Sequence, residues 1–304
     1  MLRLKNAVLA LTLLPGILHA QAEAPTPLLA AQIALERAGF SPGLLDGTPG
    51  PKTVLATREF QKTRGLPQTG NLDSATLLAL NAVGLEAMTT YTIQAADASL
   101  VSGPLGTWTA KSRMRFLGYA SLADAIAERF HCSQKFLARV NPGLNLDRLK
   151  VGDTLNVPAI QPPAGRPRAH RLEINLTQKT IRAYDSGGQL VGLFHCSIAR
   201  SAEKRPTGSA RVVVIANDPE YRFDPTMWPE VKDVKQVLII PSGPRNPVGL
   251  CWIGLSLPGY GIHGTPNPDM IGKTGSHGCF RLANWDAVRL GAMLTVGTPV
   301  IFVY

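Results

Sequence analysis

Between Gln161 and Arg168 the chain reads Q-P-P-A-G-R-P-R, and the spacing of apolar residues differs on its two sides. Prolines keep such a stretch extended and its basic residues keep it solvated, so it reads as a linker. Upstream, apolar residues recur at helical spacing; from 170 onward they alternate with polar ones at period two. The two halves therefore belong to different architectures, and a multidomain chain is expected. Its 304 residues suffice for two or three modest cores, and 24 prolines with 29 glycines imply many turns.

Residues 1–22 carry Arg3 and Lys5, an apolar run from Ala7 to Leu18, and Ala20-Gln21-Ala22 as a small-x-small cleavage form. That order predicts an export signal peptide cleaved after Ala22. The run is shorter than the roughly 20 apolar residues that cross a bilayer, so no stable membrane span is expected. Taking Arg3 and Lys5 from the 31 basic residues leaves a net charge of +8 against 21 acidic ones. A basic exported chain without a basic, aromatic-interleaved stripe favours an anionic wall or membrane surface over nucleic acid. Solubility alone explains the charge equally well. Four cysteines remain: Cys132, Cys196, Cys251 and Cys279. Should Cys279 be a working thiol, one disulfide remains open to the other three, and Cys196–Cys251 is the favoured pair.

Within 23–85, Leu28, Gln32, Leu35 and Ala38 mark one helix that Gly39 ends, Val54, Leu55 and Phe60 a second, and Leu77, Leu78 and Leu80 a third capped by Asp73. The run L-D-G-T-P-G-P-K-T from Leu45, Phe60-Gln61, Gly65-Leu66 and Asp73 through Thr76 resembles the peptidoglycan-binding domain of cell-wall hydrolases. Within 89–158, a strand at Tyr91–Ile93, helices through Leu122–Phe130 and Phe136–Val140, and a strand over 149–158 resemble the LysM module, with Ala98 to Ala120 as an insertion. The resemblances imply binding to the cell wall, through N-acetylglucosamine-containing glycan in the case of the LysM-like segment. Residues 159–169 form the linker, and 170–304 the last domain.

That domain is expected to be mostly antiparallel β with one short helix, Trp285 to Leu294, capped by Asn284. Its chemistry gathers between Gly259 and Leu282, which holds His263, Ser276, His277, Gly278, Cys279 and Arg281. A cysteine is nucleophilic as thiolate, an imidazole can take its proton, and glycine lets backbone amides approach a reacting carbonyl. Arg281 lies two residues past Cys279 and shares its face if the chain is extended. A buried structural cysteine is one competing reading. A zinc site on His263, His277 and Cys279 is another, but structural zinc takes four ligands and no second pair is present.

Pro247-Val248-Gly249, Trp252-Ile253-Gly254-Leu255, Gly259-Tyr260-Gly261-Ile262-His263-Gly264-Thr265 and Ser276-His277-Gly278-Cys279-Phe280-Arg281-Leu282 resemble the YkuD-type L,D-transpeptidase catalytic domain. The resemblance implies Cys279 as nucleophile, His263 as proton acceptor and donor, and the backbone of His277, Gly278 and Cys279 around an oxyanion. It implies Arg281 as a substrate-orienting residue and Ser276 as a hydrogen-bonding one. Tyr260 and Trp252 could line the groove or simply fill the β core. It further implies a periplasmic, wall-associated enzyme that needs no metal or organic cofactor. Such an enzyme joins peptidoglycan stems to an amine: another stem, a wall-attached lipoprotein or a D-amino acid. Hydrolysis of the same thioester, or a catalytically silent wall-binding protein, are the alternatives.

Overall fold

The computed structural model describes residues 26–165, 167–228, 230–276 and 278–304. The expected signal peptide at 1–22 and the expected oxyanion residue His277 lie outside the described residues.

Three helices open the chain: α1 (Pro27–Arg37), α2 (Pro51–Thr63) and α3 (Ser74–Ala79). Asp73 caps α3 as expected, its carboxylate accepting from the Thr76 amide at 2.8 Å. Two buried glutamines hold the connections. Gln32 accepts from the amides of Asp46 and Gly47 and donates to the Thr48 carbonyl. Gln61 accepts from the Gly70 amide and donates to the Asn71 carbonyl and to Thr76. Most of the motif in this module thus satisfies buried backbone groups.

The second module runs β1 (Met88–Thr92), α4 (Ala95–Ser99), α5 (Trp108–Ser112), α6 (Leu122–Arg129), α7 (Gln134–Val140) and β2 (Thr154–Pro158). The two strands pair antiparallel, Tyr91 opposite Leu155. The strand expected from 149 begins only at Thr154. Asp153 accepts from the Lys150 amide and Gly152 sits at φ +93°, which makes the preceding residues a turn.

The last domain contains β3 (Arg171–Asn175), β4 (Thr180–Tyr184), β5 (Leu190–His195), β6 (Ser209–Asn217), β7 (Tyr221–Phe223), β8 (Leu238–Ile240), β9 (Cys251–Leu255), β10 (Gly261–His263), β11 (Phe280–Arg281), α8 (Asn284–Met293) and β12 (Pro299–Val303). Eight strands form one sheet in the order β11-β10-β9-β6-β12-β3-β4-β5, while β7 and β8 pair as a separate hairpin. The pairs β12–β3 and β10–β11 are parallel and the rest antiparallel. Ile174, Ile253, Ile262, Phe280 and Leu290 are fully buried between the sheet and α8.

Asn284 does not cap this helix. Ala283 is the cap residue, and the Asn284 side chain turns inward instead. Its carboxamide accepts from the Leu250 amide and donates to the Pro244 carbonyl and to Glu128 of α6. All four cysteines are free, so the Cys196–Cys251 pair expected from sequence is not formed. Both thiols are buried in the core instead.

The modules are packed together rather than strung out. Leu193 of edge strand β5 exchanges backbone hydrogen bonds with Gly39 and Ser41, both at 2.9 Å, so the first module covers that edge. Leu193 is buried in one cluster with Leu35, Phe40 and Phe60. Arg182 of β4 donates from Nε to Glu59 of α2 at 3.0 Å, and both side chains are nearly buried. The linker lies against both halves: the Ala164 amide donates to Arg37 and the Ala169 amide to Met293.

Candidate active site

Strand β10 lies between β9 and β11, and register decides which side chains meet. His263 is opposite Trp252 on one side and Arg281 on the other. Paired residues of neighbouring strands point to the same face, so Trp252, His263 and Arg281 share one face. Ile253, Ile262 and Phe280 fill the core on the other. Cys279 immediately precedes β11 and reaches back toward the start of β10. Its thiol donates to the Gly259 carbonyl at 3.6 Å. Gly261 is glycine for a reason of space. A Cβ there would stand 2.3 Å from the Trp252 ring, which stacks on the His263 imidazole with centroids 5.7 Å apart.

His263 is buried, and its Nδ1 is 2.6 Å from the Gly264 carbonyl. Burial pushes the imidazole down to about 4; the Gly264 hydrogen bond opposes this and the Arg281 charge adds to it. A neutral imidazole facing a carbonyl through Nδ1 must carry its proton there, which leaves Nε2 as the acceptor. Cys279 is half-buried. Burial pushes its thiol up, against the Gly261 backbone hydrogen bond and the Arg281 charge. Both shifts favour a neutral thiol and a neutral imidazole over a preformed ion pair.

Gly264 is held from behind. A Cβ at Gly264 or at Gly249 would fall about 2 Å from the Asn284 side-chain oxygen. Only glycine admits that carboxamide, which links the backbone beside His263 to Glu128 of the second module. Glu128 also accepts from the Tyr119 hydroxyl at 3.0 Å, and burial pushes its carboxyl up to about 7.

The remaining expected residues divide. Ser276 is structural, its hydroxyl donating to the Cys279 carbonyl and accepting from the Gly278 amide at 3.2 Å. Gly278 therefore already spends the N–H that was expected at an oxyanion. Nη2 of Arg281 donates to the Thr274 and Gly275 carbonyls and to Thr274 Oγ1, which fixes the turn before Ser276. Its Nε is buried with no partner among the described residues. Tyr260 is half-buried at the core edge, its hydroxyl donating to the Lys204 carbonyl and its ring facing Gly278. Sequence reasoning missed Tyr221 of the β7–β8 hairpin, whose phenol is pushed up by burial and also by the nearby Cys279 thiol. The aromatic spacing of Tyr221, Phe223 and Trp228 was the available signal.

A cavity of about 700 Å³ opens elsewhere, lined by Glu36, His131, Trp285, Asp286 and Arg289 where the three modules meet. None of its lining residues belongs to the thiol site. Among the described residues, no three His, Cys, Asp or Glu side chains gather as a metal site.

The model of the L,D-transpeptidase catalytic domain matches residues 169–302. A peptidoglycan-binding domain model matches 26–80 and a LysM domain model matches 124–158. A protein named as a candidate L,D-transpeptidase of Fuscovulum blasticum, from its ATP synthase subunits region, is 32% identical over 189 residues, covering 60% of this chain and 92% of the relative. Another so named, YkuD of Bacillus licheniformis, is 29% identical over 177 residues, covering 58% of this chain and 90% of the relative. A solved L,D-transpeptidase structure from Xylanimonas cellulosilytica aligns at 16% identity with a TM-score of 0.38, over 93% of this chain and 95% of that one. The chain belongs to the L,D-transpeptidase family. Its family and its binding domains make it an enzyme of peptidoglycan, with the wall as its partner. Among the described residues no helix is long and apolar enough to cross a membrane.

Proposed function

We propose that the protein is a cysteine-dependent L,D-transpeptidase in which Cys279 is the nucleophile and His263 the proton acceptor and donor. The observation that carries this reading is the placement of a half-buried thiol, hydrogen-bonded to Gly259, immediately before the strand β11 that pairs with the strand of His263. The thiol attacks the carbonyl of the third residue in a stem tetrapeptide, and His263 Nε2 takes its proton. The C–N bond to the terminal D-alanine breaks as that proton passes to the departing amine, leaving a thioester. An incoming amine then gives a proton to the same imidazole and displaces the thiol. That amine belongs to the third residue of another stem, to a lysine of a wall-attached lipoprotein, or to a free D-amino acid. Backbone amides of His277, Gly278 and Cys279 would receive the oxyanion, Gly278 by releasing or sharing its bond to Ser276. Arg281 holds the turn that shapes this backbone and would orient substrate through the same charge. Trp252 and Tyr260 flank the groove. No metal or organic cofactor enters either step. The signal-like residues 1–22 and the two binding domains support a periplasmic, wall-associated enzyme.

Incubation of the protein with a disaccharide-tetrapeptide, followed by mass, tests the reading. Loss of D-alanine with growth of cross-linked dimer is expected, and Cys279→Ala should do neither. A Cys279→Ala protein that still releases D-alanine removes the assignment, while trimmed monomer without dimer makes the enzyme an L,D-carboxypeptidase.

A further inference from the structure

The insertion within the second module does not loop into solvent. It crosses to the catalytic domain and closes on the β7–β8 hairpin, a flap outside the main sheet. The Trp108 ring stacks on buried Phe223 with centroids 4.0 Å apart and planes at 20°. Tyr221 and Trp228 stand 6.4 and 6.1 Å from the same ring. The Lys111 ammonium covers it at 4.6 Å. Leu117 and Phe223, with Val234, Leu238 and Ile240, form a small core of their own, built jointly by insertion and flap.

Backbone contacts fix the same junction. The Leu117 amide donates to Ser242 at 2.8 Å and its carbonyl accepts from Arg245 at 3.0 Å. Gly243 sits at φ +131°, and a Cβ there would stand 2.5 Å from the Leu117 carbonyl oxygen. The two backbones approach more closely than any side chain would allow, so the docking is built into both segments. The flap leaves the sheet beside the thiol site: β6 ends at Asn217, its Ala216 pairs with Trp252, which stacks on His263, and β7 begins at Tyr221. Trp228 donates from Nε1 to the Tyr221 hydroxyl at 3.2 Å, and Tyr221 lies within electrostatic reach of Cys279.

We propose that the 98–120 insertion is a positioning clamp: Trp108 wedges the β7–β8 flap so that Tyr221 is held beside the end of the sheet that carries Trp252 and His263, which restricts access to the Cys279 thiol. A two-stranded hairpin has too little core to hold a fixed position alone. The insertion supplies the missing apolar face. The catalytic consequence rests on Cys279 as nucleophile; the clamp itself does not.

The test therefore uses no substrate. Cys132, Cys196 and Cys251 are at most 2% exposed, so native alkylation by iodoacetamide reports Cys279. In the full chain, Trp108→Ala should raise the alkylation rate about tenfold and speed hydrogen exchange across the flap, from the lost aromatic packing. Trp108→Phe keeps a stacking ring and should restore both. Alkylation unchanged in Trp108→Ala overturns the proposal. So does a rise matched by equal loss of protection in Asn284–Met293, which would mean general loosening. If Cys279→Ala still releases D-alanine while Trp108→Ala alkylates faster, the nucleophile assignment fails and the clamp stands.

Discussion

At the residue scale, His263 and Cys279 are tuned in opposite directions by the same cause. Burial disfavours the charged form of each, so the imidazole falls and the thiol rises. In the proposed mechanism the proton then moves during attack rather than before it. A base neutral above about 4 stays competent in mildly acidic solution. D-alanine release should hold nearly level from about pH 7 to about pH 5 and reach half near the folded value of His263. A pH profile of kcat/KM checks this. An acid limb near the ordinary histidine value, about 6.5, would show that the imidazole is not desolvated in the working enzyme.

At the element scale, the edge of the catalytic sheet depends on a helix from another module. Glu59 of α2 holds Arg182 of β4 where both are nearly out of water. Removing one partner leaves a buried charge with poorer company, whereas replacing both with apolar side chains removes the desolvation cost too. Glu59→Ala should lower stability by about 3 kcal/mol, and a Glu59→Met, Arg182→Met double variant by much less. Denaturant unfolding of the two proteins checks the difference. Equal losses would mean that the pair contributes through its charges rather than through avoidance of an orphan.

At the scale of the whole molecule, the three modules meet over buried titratable groups. Asp286 of α8 accepts from Ser41 of the first module, near Glu36, His131, Arg289 and Lys52. Burial pushes its carboxyl up to about 6, with Glu36 adding to the shift. A folded value above the unfolded one means that the group favours folding below about pH 4 and loses that contribution as pH rises through about 6. His195 and His263, depressed to about 3 and about 4, act in the reverse sense and lose their contribution as pH falls through those values. Asp286→Asn should therefore be more stable than the parent at pH 8 by about 3 kcal/mol, with the difference gone below about pH 4. Thermal unfolding across pH checks it, and a constant offset would remove the carboxyl as its source.

Much of this was legible in the chain itself. Helical spacing, Asp73 and Gly39 located the first module's helices, and period-two alternation located most strands of the last domain. These are local properties, determined by propensity, capping and which face is apolar. His263 and Cys279 could be singled out because thiol, imidazole and glycines are written within one short stretch. Their register across β10 and β11 could not, since pairing is decided by the partner strand. Asn284 reads locally as a helix cap, yet tertiary packing spends its carboxamide on Leu250, Pro244 and Glu128. The proline-rich linker reads as an extended, solvated segment, but Arg37 and Met293 strap it down. Trp108 and Phe223 are 115 positions apart in the sequence and stacked in the fold. The sequence alone determined the chemistry on offer and the secondary structure around it. Only the tertiary structure decided that the binding modules brace the catalytic domain, because contacts between distant segments leave no periodic trace in either one.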